Sequence, residues 1–92
     1  MTQKRERIQV IYDILKVIQE KNGNIKPTHI MYKANLSSQM LNEYVSDLIQ
    51  RKLIVEVKTK SSKEYSLTEL GHEYIQKYSS VAEFMNTFGL SS

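Results

Sequence analysis

Ile8, Ile11, Leu15 and Ile18 recur at spacings of three and four, which places them on one face of a helix over residues 4–21. Val10, Ile14 and Val17 form a second apolar row on the same segment. At 100° per residue the two rows and Tyr12 span roughly 220°, well beyond the ~100° stripe of a surface helix. Such a helix needs two partners, its own core and something further. Gly23 fits the left-handed position past its end. Ile25-Lys26 reads as a short strand, and Pro27 fits a first helical position, where a missing N–H costs nothing. A short helix follows over residues 28–35, with Ile30, Met31 and Ala34 inward. Asn35-Leu36-Ser37 is a tight connection. Ser37 or Ser38 then caps a third helix, by accepting from its free N–H groups, and that helix runs to about Arg51. Met40, Leu41, Tyr44, Val45 and Leu48 lie on its inward side.

The periodicity then changes from 3.6 to 2. Leu53 to Lys58 is alternating and β-branched, and Lys63 to Leu67 alternates with Tyr65 and Leu67 on one face. The polar, basic residues between the two runs make a hairpin with a basic tip. Thr68 caps a last helix, on which Leu70, Tyr74, Tyr78, Val81, Met85 and Phe88 follow at spacings close to a heptad seam. Gly89-Leu90 reads as a helix stop of the Schellman kind. Ser80-Val81-Ala82-Glu83 also fits a capping box, at which the helix would break into two. The unbroken seam favours one continuous helix.

Ninety-two residues allow one domain, near the size at which dimerisation is a common support. With 40% hydrophobic and 25% charged residues, the chain can fill one core and is not a disordered tail. The absence of cysteine excludes disulfides, thiol nucleophiles and zinc fingers. No run approaches the roughly 18 apolar residues of a membrane span. The basic N-terminus leads into an interrupted apolar pattern, unlike a signal peptide. The expectation is a cytoplasmic protein without membrane attachment. The net charge of +3 is unevenly placed: residues 1–67 carry +5 and residues 68–92 carry −2. A basic body with an acidic tail suits a polyanion on one side and a protein contact on the other, although a solvated surface explains so small an excess equally well.

A short helix joined by a few residues to a longer one is the helix-turn-helix signal, and a hairpin directly after it makes a wing. The expected fold is therefore mainly α (α+β), a winged helix-turn-helix with a C-terminal helix. The arrangement has a dimensional logic. The major groove of DNA is about 12 Å wide and admits one helix, and the first helix of the pair braces across the backbone while the second meets base edges. Hairpin lysines can then reach phosphates.

Ile30-Met31-Tyr32-Lys33-Ala34-Asn35-Leu36-Ser37, followed by Leu48, Leu53-Ile54 and Tyr65-Ser66-Leu67-Thr68-x-x-Gly71, resembles the small archaeal winged-helix DNA-binding proteins, both transcription regulators and ~10 kDa nucleoid-associated dimers. The resemblance covers nearly the whole chain. It implies double-stranded DNA as a partner, and homodimerisation through the last helix. Residues 1–67 would form the DNA-binding unit and residues 68–92 the dimerisation element. Carried onto this sequence, Ser37, Ser38, Gln39 and Asn42 match the start of the recognition helix. Lys58, Lys60 and Lys63 match the wing. Tyr74, Tyr78, Val81 and Met85 match the dimer seam, which Leu70 and Phe88 extend and to which the row Val10, Ile14 and Val17 is a further candidate. Many winged helices carry glycine just before the first wing strand. Lys52 stands there in this chain, so either it adopts a less favoured backbone conformation or the turn differs.

The outward face of the third helix reads Gln39, Asn42, Glu43, Ser46 and Gln50 and carries no lysine or arginine. Gln and Asn read adenine and Glu accepts from cytosine, but Glu43 is repelled by phosphates. Lys33 flanks the pair and either touches the DNA backbone or is solvated, as is Lys26. Lys4, Arg5 and Arg7 are a second phosphate site or a frayed terminus. A different class of function stays open beside DNA binding: a winged helix used as a protein-interaction module, docking through Val10, Ile14 and Val17. Tyr74 and Tyr78 at heptad spacing are packing residues rather than a ligand site. His29 and His72 are far apart with no cysteine, so no metal or other cofactor is expected. No glycine-rich phosphate loop or nucleophile elbow occurs, and no catalysis is expected.

Overall fold

The computed structural model describes residues 6–21 and 23–90. Lys4 and Arg5, read above as a phosphate site or frayed end, lie outside the described residues, as does Asn22. Six elements follow in the expected order: α1 (Arg7–Lys21), α2 (Pro27–Ala34), α3 (Ser38–Gln50), β1 (Ile54–Lys58), β2 (Lys63–Leu67) and α4 (Glu69–Thr87). β1 and β2 pair antiparallel, with Ile54 opposite Leu67 and Lys58 opposite Lys63. The expected strand at Ile25-Lys26 contracts to one bridge, in which Ile25 and Tyr65 exchange backbone bonds of 2.9 and 2.8 Å. Gly23 sits at φ 159°, which is extended backbone and not the left-handed cap the sequence suggested.

Four helix ends are made by local chemistry. Pro27 opens α2, and Asn35 closes it in the left-handed region at φ 57°, where asparagine is better tolerated than most side chains. Ser37 caps α3, its hydroxyl accepting from Met40 N at 3.1 Å. α4 runs unbroken past Ser80 and ends in a Schellman motif. Gly89 is at φ 65°, and Leu90 N donates to Met85 O at 2.7 Å.

The core is one cluster in which Ile14, Leu15, Ile18, Ile25, Ile30, Leu48 and Ile54 are fully buried. It corrects the reading of α1. Val10 is 3% and Ile14 0% exposed, so neither is available to a partner. Most of the broad apolar arc of α1 is consumed inside the protomer, against α2, β2 and α4, and Ile8 at its first turn stays exposed. Val17 is half-buried against the same cluster. The fold also seats Tyr74 and Tyr78 against α1. The Tyr78 ring stacks on Tyr12 at 4.4 Å, and Tyr74 OH donates to Ile8 O at 2.7 Å. Burial pushes both phenols up from their ordinary value. Met40, expected inward, is exposed.

The turn between α3 and β1 explains the Leu67-Thr68-x-x-Gly71 string. Lys52 occupies the left-handed region at φ 65°, and Leu53 N donates to Leu48 O at 2.9 Å, so α3 ends in a Schellman turn with lysine where glycine is usual. Leu53 belongs to this turn, and β1 starts one residue later than the pattern suggested. Thr68 holds the turn: its hydroxyl is 2.7 Å from Lys52 O and 3.0 Å from Leu53 O, and its backbone N–H also donates to Leu53 O. The same hydroxyl caps α4 by accepting from Gly71 N at 3.1 Å. Gly71 is required because a Cβ there would lie 2.9 Å from Leu67 Cδ2 and closer still to Leu53 O.

Candidate nucleic-acid interface

α2 buries Ile30 and Ala34 and leaves Thr28, His29, Tyr32 and Lys33 exposed. Directly after the turn, α3 buries Leu41, Val45 and Leu48. Its opposite side leaves Ser38, Gln39, Asn42, Glu43 and Ser46 exposed beside Ser37. The apolar spacing on each helix thus clears one continuous polar strip across the α2–α3 turn. Gln39 and Glu43 are mutually engaged at 3.4 Å, so the amide that could read a base is partly held by the carboxylate one turn on.

The wing is a tight tip. Thr59 N donates to Ser62 O at 2.8 Å, and Ser62 N donates to Thr59 Oγ1 at 3.0 Å. This fixes Lys58, Lys60 and Lys63 at one end of the hairpin, all three exposed. They are not equivalent. Lys63 Nζ lies 3.9 Å from Glu56 Oε1, a loose pair that offsets part of its charge. Lys58 stands directly across from Lys63, and two like charges in register lower each other's stability until an anion intervenes.

α3 is oriented from its inner end. Asp47 accepts from Arg7 Nη2 at 2.6 Å and from Arg51 Nε at 3.0 and 3.1 Å, and the Arg7 guanidinium lies 5.3 Å from the Tyr44 ring centroid. Hydrogen bonding from Arg51 leads the effects that hold the Asp47 carboxyl below its ordinary value. The first turn of α1 therefore grips the recognition-helix candidate by charge and, through Ile8 O, holds α4.

The α4 surface departs from the expected seam. Tyr74 and Tyr78 turn toward α1 and are half-buried, as is Met85. The exposed apolar stripe is instead Leu70, Val81, Phe84 and Phe88, with the Phe84 and Phe88 rings 5.0 Å apart. Phe84 and Tyr32, the latter 87% exposed, were missed as surface candidates. The seam through Tyr78 and Met85 and the stripe through Phe84 share Leu70, Val81 and Phe88. The stacking of Tyr78 on Tyr12 and the Tyr74 bond to Ile8 O decide between them.

Among the described residues no three of His, Cys, Asp and Glu are grouped to hold a metal ion, and no helix is long and apolar enough to cross a membrane.

Two helices set at a short turn, followed directly by a basic two-stranded hairpin, define a winged helix-turn-helix. The chain belongs to that family, whose model matches residues 4–86. An uncharacterized protein of Methanocaldococcus jannaschii is 34% identical over 84 residues, which are 91% of this chain and 80% of that one. Among solved structures, Sso10a-2, a DNA-binding protein from Sulfolobus solfataricus, superposes with a TM-score of 0.80 at 17% identity, over 91% of this chain and 85% of that one. F93 from STIV, a winged-helix DNA-binding protein, gives a TM-score of 0.68 at 25% identity, over 89% and 91%.

Proposed function

We propose that this protein is a non-catalytic, cytoplasmic binder of double-stranded DNA that works as a homodimer, either as a transcription regulator or as an architectural protein of the nucleoid. The observation that carries the reading is the exposed polar side of α2 and α3 together with a hydrogen-bonded wing tip bearing three exposed lysines. Both similar solved proteins carry DNA binding in their descriptions. In this reading Lys58 and Lys60 lead the phosphate contacts, with Lys63 weakened by Glu56, and Lys33 and the Ser37–Ser38 end of α3 add backbone contacts. Gln39, Asn42, Glu43 and Ser46 face base edges. The charges favour positioning over sequence readout, because no cation stands on the α3 face.

Homodimerisation is assigned to the Val81, Phe84 and Phe88 end of the α4 stripe, with Met85 at its margin, Tyr74 and Tyr78 as its backing, and Leu70 about three turns away outside the contact. A monomer with this stripe open would expose several large apolar side chains on one helix face. The protein-interaction alternative keeps the lysine-free α3 face in its favour but loses its docking row, since Val10 and Ile14 are core.

The test is fluorescence anisotropy on a random-sequence duplex over a salt series. Binding that weakens with a log–log slope of several units supports phosphate neutralisation at about 0.9 per contact. Charge reversal at Lys58 and Lys60 then weakens all duplexes alike. Absence of binding at low salt to any duplex, including a selected pool, refutes the reading.

A further inference from the structure

A groove of about 520 Å³ opens where the first turn of α1, the α3–β1 turn and the first half of α4 meet. Its volume lies in the range of roughly 300–1,000 Å³ typical of small-molecule sites. Ile8, Leu53, Leu70 and the Tyr74 ring make an apolar floor, and Ile8 and Leu70 are left 55% and 47% exposed. Its rim carries three cations, Arg7, Arg51 and Lys77, against one acid, Glu73. Lys77 pairs with Glu73 at 3.0 Å, so the two arginines set the remaining charge, and the single carboxylate of Asp47 serves both. A guanidinium carries five N–H donors in a planar fork suited to a second carboxylate.

We propose that this groove binds a small carboxylate with a flat apolar body, the body lying on Ile8, Leu70 and Tyr74 and the carboxylate on Arg51 and Arg7. A second copy of the chain is the poorer occupant. Its apolar α4 stripe would desolvate Arg7 and Arg51, which share the one carboxylate of Asp47, and bring no charge of its own, whereas a ligand carboxylate adds one. The site also has a place in the mechanics of the protein. The ligand carboxylate competes with Asp47 for the arginines that grip α3, and its body rests beside the Tyr74–Ile8 bond that holds α1 to α4.

The test is calorimetric titration of the full chain with 2-naphthoate, and with 2-naphthylmethanol as the neutral match, followed by methyl NMR. A ligand of this size binding such a groove gives a Kd on the order of 0.1–1 mM. The alcohol binds at least about tenfold more weakly if the guanidinium contact contributes as a charge-assisted bond. The Ile8 and Leu70 methyl signals move. Arg51→Gln weakens naphthoate about tenfold with cooperative unfolding intact, and should that variant unfold, Lys77→Gln and Arg51→Lys supply the comparison, the first near wild type and the second intermediate. The proposal is overturned by equal affinity for acid and alcohol, by no binding of the acid at several millimolar, or by shifts confined to the Ser37–Asn42 end of α3. It is overturned too by an apparent Kd that rises with protein concentration, which means that a second copy covers the groove.

Discussion

Gly71→Ala is the substitution that most directly tests why the wing and α4 are joined as they are. In an ordinary helix the change is favourable, by about 1 kcal/mol of propensity. Here a Cβ would fall 2.9 Å from Leu67 Cδ2 and closer to the Leu53 carbonyl, which is backbone and cannot rotate away. Relief requires moving the Lys52–Leu53 turn off the start of α4. That movement stretches the Thr68 hydroxyl bonds of 2.7 and 3.0 Å and the Thr68 N–H bond of 3.2 Å. Overpacking of this kind costs about 1–3 kcal/mol, and each weakened hydrogen bond adds about 1 kcal/mol. Set against the propensity gain, the net destabilisation is about 2 kcal/mol. For a domain of this length that lowers Tm by roughly 8–16 °C, read by far-ultraviolet circular dichroism. Thr68→Ala, which removes both the cap and the tether, costs about 1–2 kcal/mol alone, and the double variant loses less than the sum because one turn is disrupted twice. A Gly71→Ala protein that melts within about 2 °C of wild type, or above it, refutes the argument that the Leu53 carbonyl makes glycine necessary.

Lys52→Gly relieves a left-handed lysine at φ 65° and raises stability by up to about 1 kcal/mol in chemical denaturation, the gain being capped by the entropy of the unfolded glycine. Asp47 is held below its ordinary carboxyl value, so its contribution is full above about pH 4 and disappears as pH falls through the lower folded value. Acid unfolding curves of wild type and Asp47→Asn should therefore separate above that region and converge below it; parallel curves would show that the arginine bridge is idle. Phe84→Glu, at a position 56% exposed, should leave protomer helicity intact while shifting sedimentation from dimer to monomer. Ile14→Ala, at a fully buried core site, should cost about 2–5 kcal/mol in denaturant unfolding.

The fold was legible because its signals were local. Pro27, Ser37, Thr68 and Gly89 mark helix ends by side-chain chemistry that needs no tertiary context, and the switch from 3.6 to 2 periodicity at Leu53 announces the hairpin. Lys52 announced its strained turn by standing where glycine was expected. The surface was less legible because exposure is decided by neighbours distant in sequence. Val10 and Ile14 looked surplus to one core, yet the elements packed on α1, namely α2, β2 and α4, leave neither exposed. The α4 pattern admits two registers, and the choice of Phe84 over Tyr78 for the outside depends on Tyr12. Lys63 could not be told from Lys58 without the pairing that brings Glu56 alongside it.

The bond from Tyr74 to Ile8 spans 66 residues and ties the first helix to the last. During synthesis α1 emerges first, and part of its apolar surface must wait until α4 has left the ribosome. Until then the face of α1 that receives Tyr74 and Tyr78 stays uncovered. The contact that closes the fold is therefore made late, after α2, α3 and the wing have already emerged.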